Sequence, residues 1–134
     1  MKQKLINKSY GIDRYVNNSI MSKSPELLIL DLYDGCIKFI NLANDAFEKN
    51  EKEVIEKNIN RALAIIEELI RCLDFERGGE IAKNLKELYI FILHSLKKAR
   101  EEKSKDALID GLKIVKMMRE NWNVGVVKKR ASDI

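Results

Sequence analysis

One proline and six glycines in 134 residues leave little material for turns, and no stretch alternates apolar with polar residues as a half-buried strand would. That poverty points to helices. Two cysteines, Cys36 and Cys72, stand far apart with neither CxxC spacing nor companion histidines, which excludes a zinc site, a thioredoxin-type redox pair and a disulfide framework. A single histidine, His94, preceded at the third position by Phe91, excludes the paired Glu-x-x-His ligands of a di-metal bundle. Long apolar runs are also missing: charges interrupt every one before the roughly 18 residues a bilayer span needs. The basic start, MKQKLINKSYGIDRYVNNS, has no apolar stretch behind it and does not read as a signal peptide. We therefore expect one domain in a reducing cytoplasm, with no metal, no cofactor and no membrane insertion.

What the chain does have is apolar residues (46%) and charge (34%). The length suffices for one domain whose core buries roughly two thirds of the surface of the unfolded chain. The net charge of +4 is unevenly spread: residues 1–23 hold five Lys/Arg and one Asp, residues 123–134 three and one, so the middle carries −2. Cations gathered in two tails, rather than on a folded face, argue against nucleic acid as a partner.

From residue 25 to 122 apolar residues return every three or four positions, and three breaks divide them into four helices. The fold class expected is all-α, an antiparallel up-down four-helix bundle (24–122) with an N-terminal arm (1–23) and a basic C-terminal tail (123–134). Ser24-Pro25-Glu26 is a strong start signal for a first helix over 25–49. A second is expected from Lys52 to about Phe75, a break at Gly78-Gly79, a third from Gly79 to Glu101, and a fourth from the cap Ser104 to Trp122.

Placing residues about 100° apart around each helix gives the faces. Core stripes are expected from Leu28, Leu32, Cys36, Phe39, Ala43 and Ala46; from Ile55, Ile59, Ala62, Ile66, Leu69 and Leu73; from Ile81, Leu85, Tyr89, Ile92, Leu96 and Ala99; and from Leu108, Leu112, Val115, Met118 and Trp122. Apolar residues are left over. Leu30 and Ile37 point almost opposite the first stripe, Val54, Ile65 and Cys72 widen the second, and Ile90 and Phe91 lie away from the third. A contiguous exposed apolar patch of more than a few hundred Å² usually marks a partner site. The arm, with Tyr10, Ile12, Tyr15, Val16 and Ile20, is an obvious cover for such a patch.

Catalytic constellations are absent. Gly78-Gly79 fits no phosphate loop, there is no calcium loop and no GxSxG elbow, and Glu67 and Glu68 point to different parts of the helix surface. The segment LHSLKKA resembles the phospho-accepting motif of histidine phosphotransfer domains, with His94 followed by Lys97. That family usually has a small glycine where this chain has Lys98. Phosphotransfer and a generic self-associating helical scaffold are the two alternative functions.

Four stretches in order carry a more specific likeness: SPELLILDLYDGCIKF (Ser24 to Phe39) with its Leu32-Tyr33-Asp34-Gly35 signature, Ala62 to Leu69, LDFERGGEIAKNLKELY (Leu73 to Tyr89), and the late Trp122. Together they resemble the flagellar secretion chaperones of the FliS type over about residues 15–122. The likeness departs at His94-Ser95, where relatives often carry a basic pair, and at Arg100, where asparagine is usual. It implies a non-enzymatic, cytoplasmic four-helix bundle that binds the C-terminal segment of flagellin, prevents its premature polymerisation and assists its delivery to the flagellar type III export gate. It also implies that the arm plugs part of the client site through Ile12, Tyr15 and Val16. Combining motif and geometry, the groove residues expected are Leu30, Tyr33 and Ile37; Ile65, Leu69 and Cys72; and Asn84, Leu85, Leu88, Tyr89 and Phe91. Tyr33 and Tyr89 could equally be core, since a buried tyrosine needs only one partner for its hydroxyl. Asn84 suits hydrogen bonds to client backbone or to the nearby turn. The expected assembly is a monomer or weak dimer.

Overall fold

Three of the four helices start where a side chain takes up free backbone N–H groups. In the computed structural model, which describes residues 24–129, the Ser24 hydroxyl accepts from the Leu27 N–H and Pro25 occupies the first position of α1 (Pro25–Glu48). α2 (Lys52–Arg71) follows a short turn and has no side-chain cap. The Asp74 carboxylate accepts from the Glu76 and Arg77 N–H groups, both at 3.1 Å, and opens α3 (Phe75–Glu101). Ser104 accepts from the Ala107 N–H at 3.1 Å and opens α4 (Lys105–Trp122). Beyond Trp122 the chain continues as a π-helical segment, Asn123–Lys128, which leans on α1.

Two boundaries differ from expectation. α2 stops at Arg71, short of Phe75, and α3 begins at Phe75 rather than Gly79. The reason is Asp74, a poor interior helix residue and a good cap, which claims the next turn for α3. The break at Gly79 is real but lies inside α3 as a kink, with φ 50° and ψ −124°.

α1 packs against α2 and α4, and α3 packs against the same two helices, so sequential neighbours and the two ends of the chain close an all-α bundle. No strand occurs among the described residues. Leu32, Cys36, Ile40, Ile59, Ala62, Ile66, Ile92, Leu96, Leu108 and Val115 are wholly buried in one core. Ile40 takes the interior place expected for Phe39, because three- and four-residue steps both fit the stripe. Phe39 sits half-buried at its edge with the Arg61 guanidinium 5.5 Å from its ring centre. Ile81, expected in the core, is 71% exposed.

The two ends of the bundle are fastened differently. Lys105 pairs with Glu48 at one end, joining α4 to α1. At the other, the Arg119 guanidinium donates to Asp34 at 2.8 Å and the Trp122 indole N–H donates to the Glu26 carbonyl at 2.8 Å. The arm, including Ile12, Tyr15 and Val16, lies outside the described residues, as do residues 130–134.

Candidate functional site: an apolar cleft beside the third helix

The Leu32-Tyr33-Asp34-Gly35 signature divides its work four ways. Leu32 fills the core, Tyr33 turns toward α3, Asp34 holds Arg119 of α4, and Gly35 is buried within α1. Tyr33 thereby forms part of the floor of a cleft of about 370 Å³ at the Trp122 end of the bundle. Ile29 of α1, Leu69, Cys72 and Leu73 at the end of α2, Ile81, Ala82, Leu85 and Tyr89 of α3, and the Trp122 ring complete its largely apolar lining. Asp74 and Arg77 stand among the lining residues, 3.8 Å apart as an ion pair.

Two glycines shape this edge for different reasons. A Cβ on Gly78 would come within 2.8 Å of the Ala82 Cβ, so only glycine allows the first turn of α3 to lie this close. Gly79 has open space around it but a positive φ that disfavours any side chain.

On the cleft floor the Tyr33 and Tyr89 hydroxyls share a 2.6 Å hydrogen bond. Burial raises both phenol pKa values above their ordinary range, and for Tyr89 the neighbouring phenol raises it further. Burial, then the nearby Glu68 carboxylate, raises the Cys72 thiol; burial alone raises Cys36, whose thiol lies 3.9 Å from the Ala62 carbonyl. Neither cysteine has the lowered pKa of a nucleophile.

The flank of α3 facing α4 bears a second, shallower groove of about 490 Å³, formed by Asn84, Glu87, Leu88 and Phe91 with Ile114 of α4. Phe91 is 49% exposed there. The expected groove residues therefore fall into three groups. Tyr33, Leu69, Cys72, Leu85 and Tyr89 meet in the cleft, and Asn84, Leu88 and Phe91 meet in the second groove. Leu30, Ile37 and Ile65 line neither. Ile65 is wholly buried in the core, Ile37 packs half-buried against it, and Leu30 is only 9% exposed although outside the main core. Their helical angles mark them as surplus to a narrow stripe, but neighbouring helices cover more than a narrow stripe of α1 and α2.

Ile29, Ile81, Ala82, Ile114 and Trp122 line these surfaces without having been expected to. The signal for Ile81 was its place on the apolar stripe of α3, which periodicity assigned to the core. His94 is exposed, as expected, but it shares a hollow with two carboxylates of α4, Asp106 and Asp110, against one cation, Lys98. Two carboxylates facing an incoming phosphoryl group are unfavourable. A separate hollow of about 290 Å³ lies at the opposite end of the bundle, among Phe47, Ile55, Lys52, Arg100 and Lys103. Among the described residues no helix is long and apolar enough to cross a membrane, and no three His, Cys, Asp or Glu side chains are placed to hold a metal ion.

The family model described as flagellar protein FliS matches residues 7–130. The chain belongs to the FliS family. The flagellar secretion chaperone FliS of Campylobacter jejuni is 33% identical to it over 108 residues, 81% of this chain and 84% of that protein. The chaperone FliS of Bacillus subtilis is 30% identical over 116 residues, 87% of this chain and 86% of that one. That of Salmonella typhimurium is 31% identical over 117 residues, with 84% and 87% covered. The class expected from the helix motifs, a flagellar secretion chaperone, is therefore the class of this FliS family member, and its fold is the helical bundle expected for it.

Proposed function

We propose that this protein is a cytoplasmic, non-enzymatic export chaperone that holds the C-terminal segment of flagellin against α3, keeps it from polymerising early and hands it to the flagellar type III export gate. One observation carries the reading: α3 has an apolar cleft on one side and an apolar groove on the other, with Ile81 and Phe91 exposed beside them. An amphipathic client helix lays its anchors into such grooves and becomes ordered as it binds. Fully covering a side chain such as Ile81 or Phe91 contributes about 1.5–3 kcal/mol. Two or three such anchors offset much of the ordering cost of the client. Ile12, Tyr15 and Val16 of the arm, in this reading, occupy part of the cleft until flagellin displaces them, which lowers apparent affinity and shields the apolar surface. The chaperone acts as a monomer or weak dimer, without nucleic acid.

Co-purification with flagellin carrying or lacking its C-terminal helix tests the proposal. Full-length flagellin should be retained and the truncated form lost, and Phe91→Glu should weaken retention about tenfold or more, the loss of one buried anchor, with the thermal unfolding midpoint unchanged. Equal retention of both flagellins, or of neither, overturns it.

A further inference from the structure

The cleft lining is apolar except at its floor and its charged edge. At the floor Tyr33 of α1 and Tyr89 of α3 meet hydroxyl to hydroxyl at 2.6 Å, their rings tilted by 36° with centroids 6.5 Å apart. Both side chains are deeply buried, 2% and 3% exposed. Two phenols bring two O–H hydrogens, and one mutual hydrogen bond uses only one of them. Whichever ring donates, the accepting hydroxyl keeps a hydrogen of its own, and among the described residues no acceptor takes it. A buried donor with nothing to bond is expensive, whereas two phenylalanines would fill the same space without that cost.

We propose that the left-over O–H is a recognition element: it donates to an acceptor oxygen of the bound flagellin segment, so the cleft requires one polar atom at a fixed depth among apolar anchors. This rests on reading the cleft as the flagellin site. Such a donor discriminates sharply, because a segment with only carbon at that point leaves the hydroxyl unpaired. The acceptor is an Asn, Gln, Ser or Thr oxygen, or one of the main-chain carbonyls that the last turn of a helix leaves free.

The test is calorimetric titration of a synthetic peptide of the flagellin C-terminal segment into wild type, Tyr33→Phe, Tyr89→Phe and the double variant, with thermal unfolding of each. The double variant should be as stable as wild type or more so, since both partners become apolar together, and should bind about tenfold more weakly. One single variant should carry nearly all of that loss and the other almost none, which identifies the hydroxyl facing the client. Peptides with single Asn, Gln, Ser or Thr→Ala changes separate the two acceptor sources. A side-chain acceptor appears as one peptide that is weakened by the same factor and no longer responds to the Tyr→Phe change; a main-chain acceptor leaves every peptide responsive. Unchanged binding by the double variant, or by both singles where the double does not fold, overturns the inference and leaves the proposed function intact. A wild-type protein that does not bind the peptide overturns both.

Discussion

The two halves of α3 carry the same apolar spacing and meet opposite fates. From Tyr89 to Glu101 the stripe is buried: Tyr89, Ile92, Ser95, Leu96 and Ala99 all face the core. From Phe75 to Leu88 only Ala82 is buried, Leu85 and Leu88 are half-covered, and Phe75 and Ile81 are exposed. Length explains the contrast. α3 has 27 residues and α4 has 18, so at 1.5 Å per residue α3 exceeds α4 by roughly 13 Å. Helices joined by a short turn start level, and α4 is therefore used up at about the level of Asn84. The chain beyond it leans on α1 instead of following α3. An apolar stripe that outruns one of its neighbours becomes a cleft rather than a core.

The sharpest consequence is a difference in stability between the halves. Leu96→Ala, in the wholly buried half, should cost about 2–5 kcal/mol in urea unfolding, whereas Ile81→Ala should stay within about 0.5 kcal/mol and register only in flagellin binding. Equal losses at both positions would show that the first half is as tightly packed as the second.

Gly79→Ala should cost about 1–3 kcal/mol. With nothing within 4 Å of the added Cβ, the cost comes from the backbone conformation alone, so any other non-glycine residue there should cost a similar amount by the same denaturant measurement. A neutral substitution would mean that the kink opening the first half of α3 can relax.

The most graded effect is alkaline. Tyr33, Tyr89 and Cys36 have pKa values raised by burial in the folded state. Above the ordinary values, about 8.5 for Cys and 10 for Tyr, the unfolded chain releases protons that the folded chain keeps. Stability therefore falls as pH rises, by up to about 1.4 kcal/mol per pH unit for each such group, and these groups add no slope below about pH 7. Unfolding midpoints measured from pH 7 to 11 should show this fall, and replacing both tyrosines by Phe should reduce the part that sets in near pH 10.

Much of the bundle was legible in the chain because its signals are local. Ser24-Pro25 and Ser104 cap the helices they were expected to cap, and the three- and four-residue spacing places Leu32, Cys36, Ile59, Ile66, Leu96 and Leu108 inside. The cap at Asp74 was missed because the glycine pair that begins four residues later looked like the stronger signal. The site was legible only in part. Tyr33, Leu69, Cys72, Leu85 and Tyr89 do converge, but Leu30 and Ile65 looked just as surplus and are buried, since a helical angle says which way a side chain points and not what lies there.

Residue order alone settles that there are four helices, where two of them are capped and which faces are greasy, because each of these depends on groups within one or two turns of each other. Only packing decides that Ile81 stays outside while Ile65 is enclosed, and that Tyr33 meets Tyr89 across 56 residues of chain. Burial and a shared hydrogen bond depend on neighbours brought together by the whole bundle, and the relative lengths of those neighbours leave the cleft open beside α3.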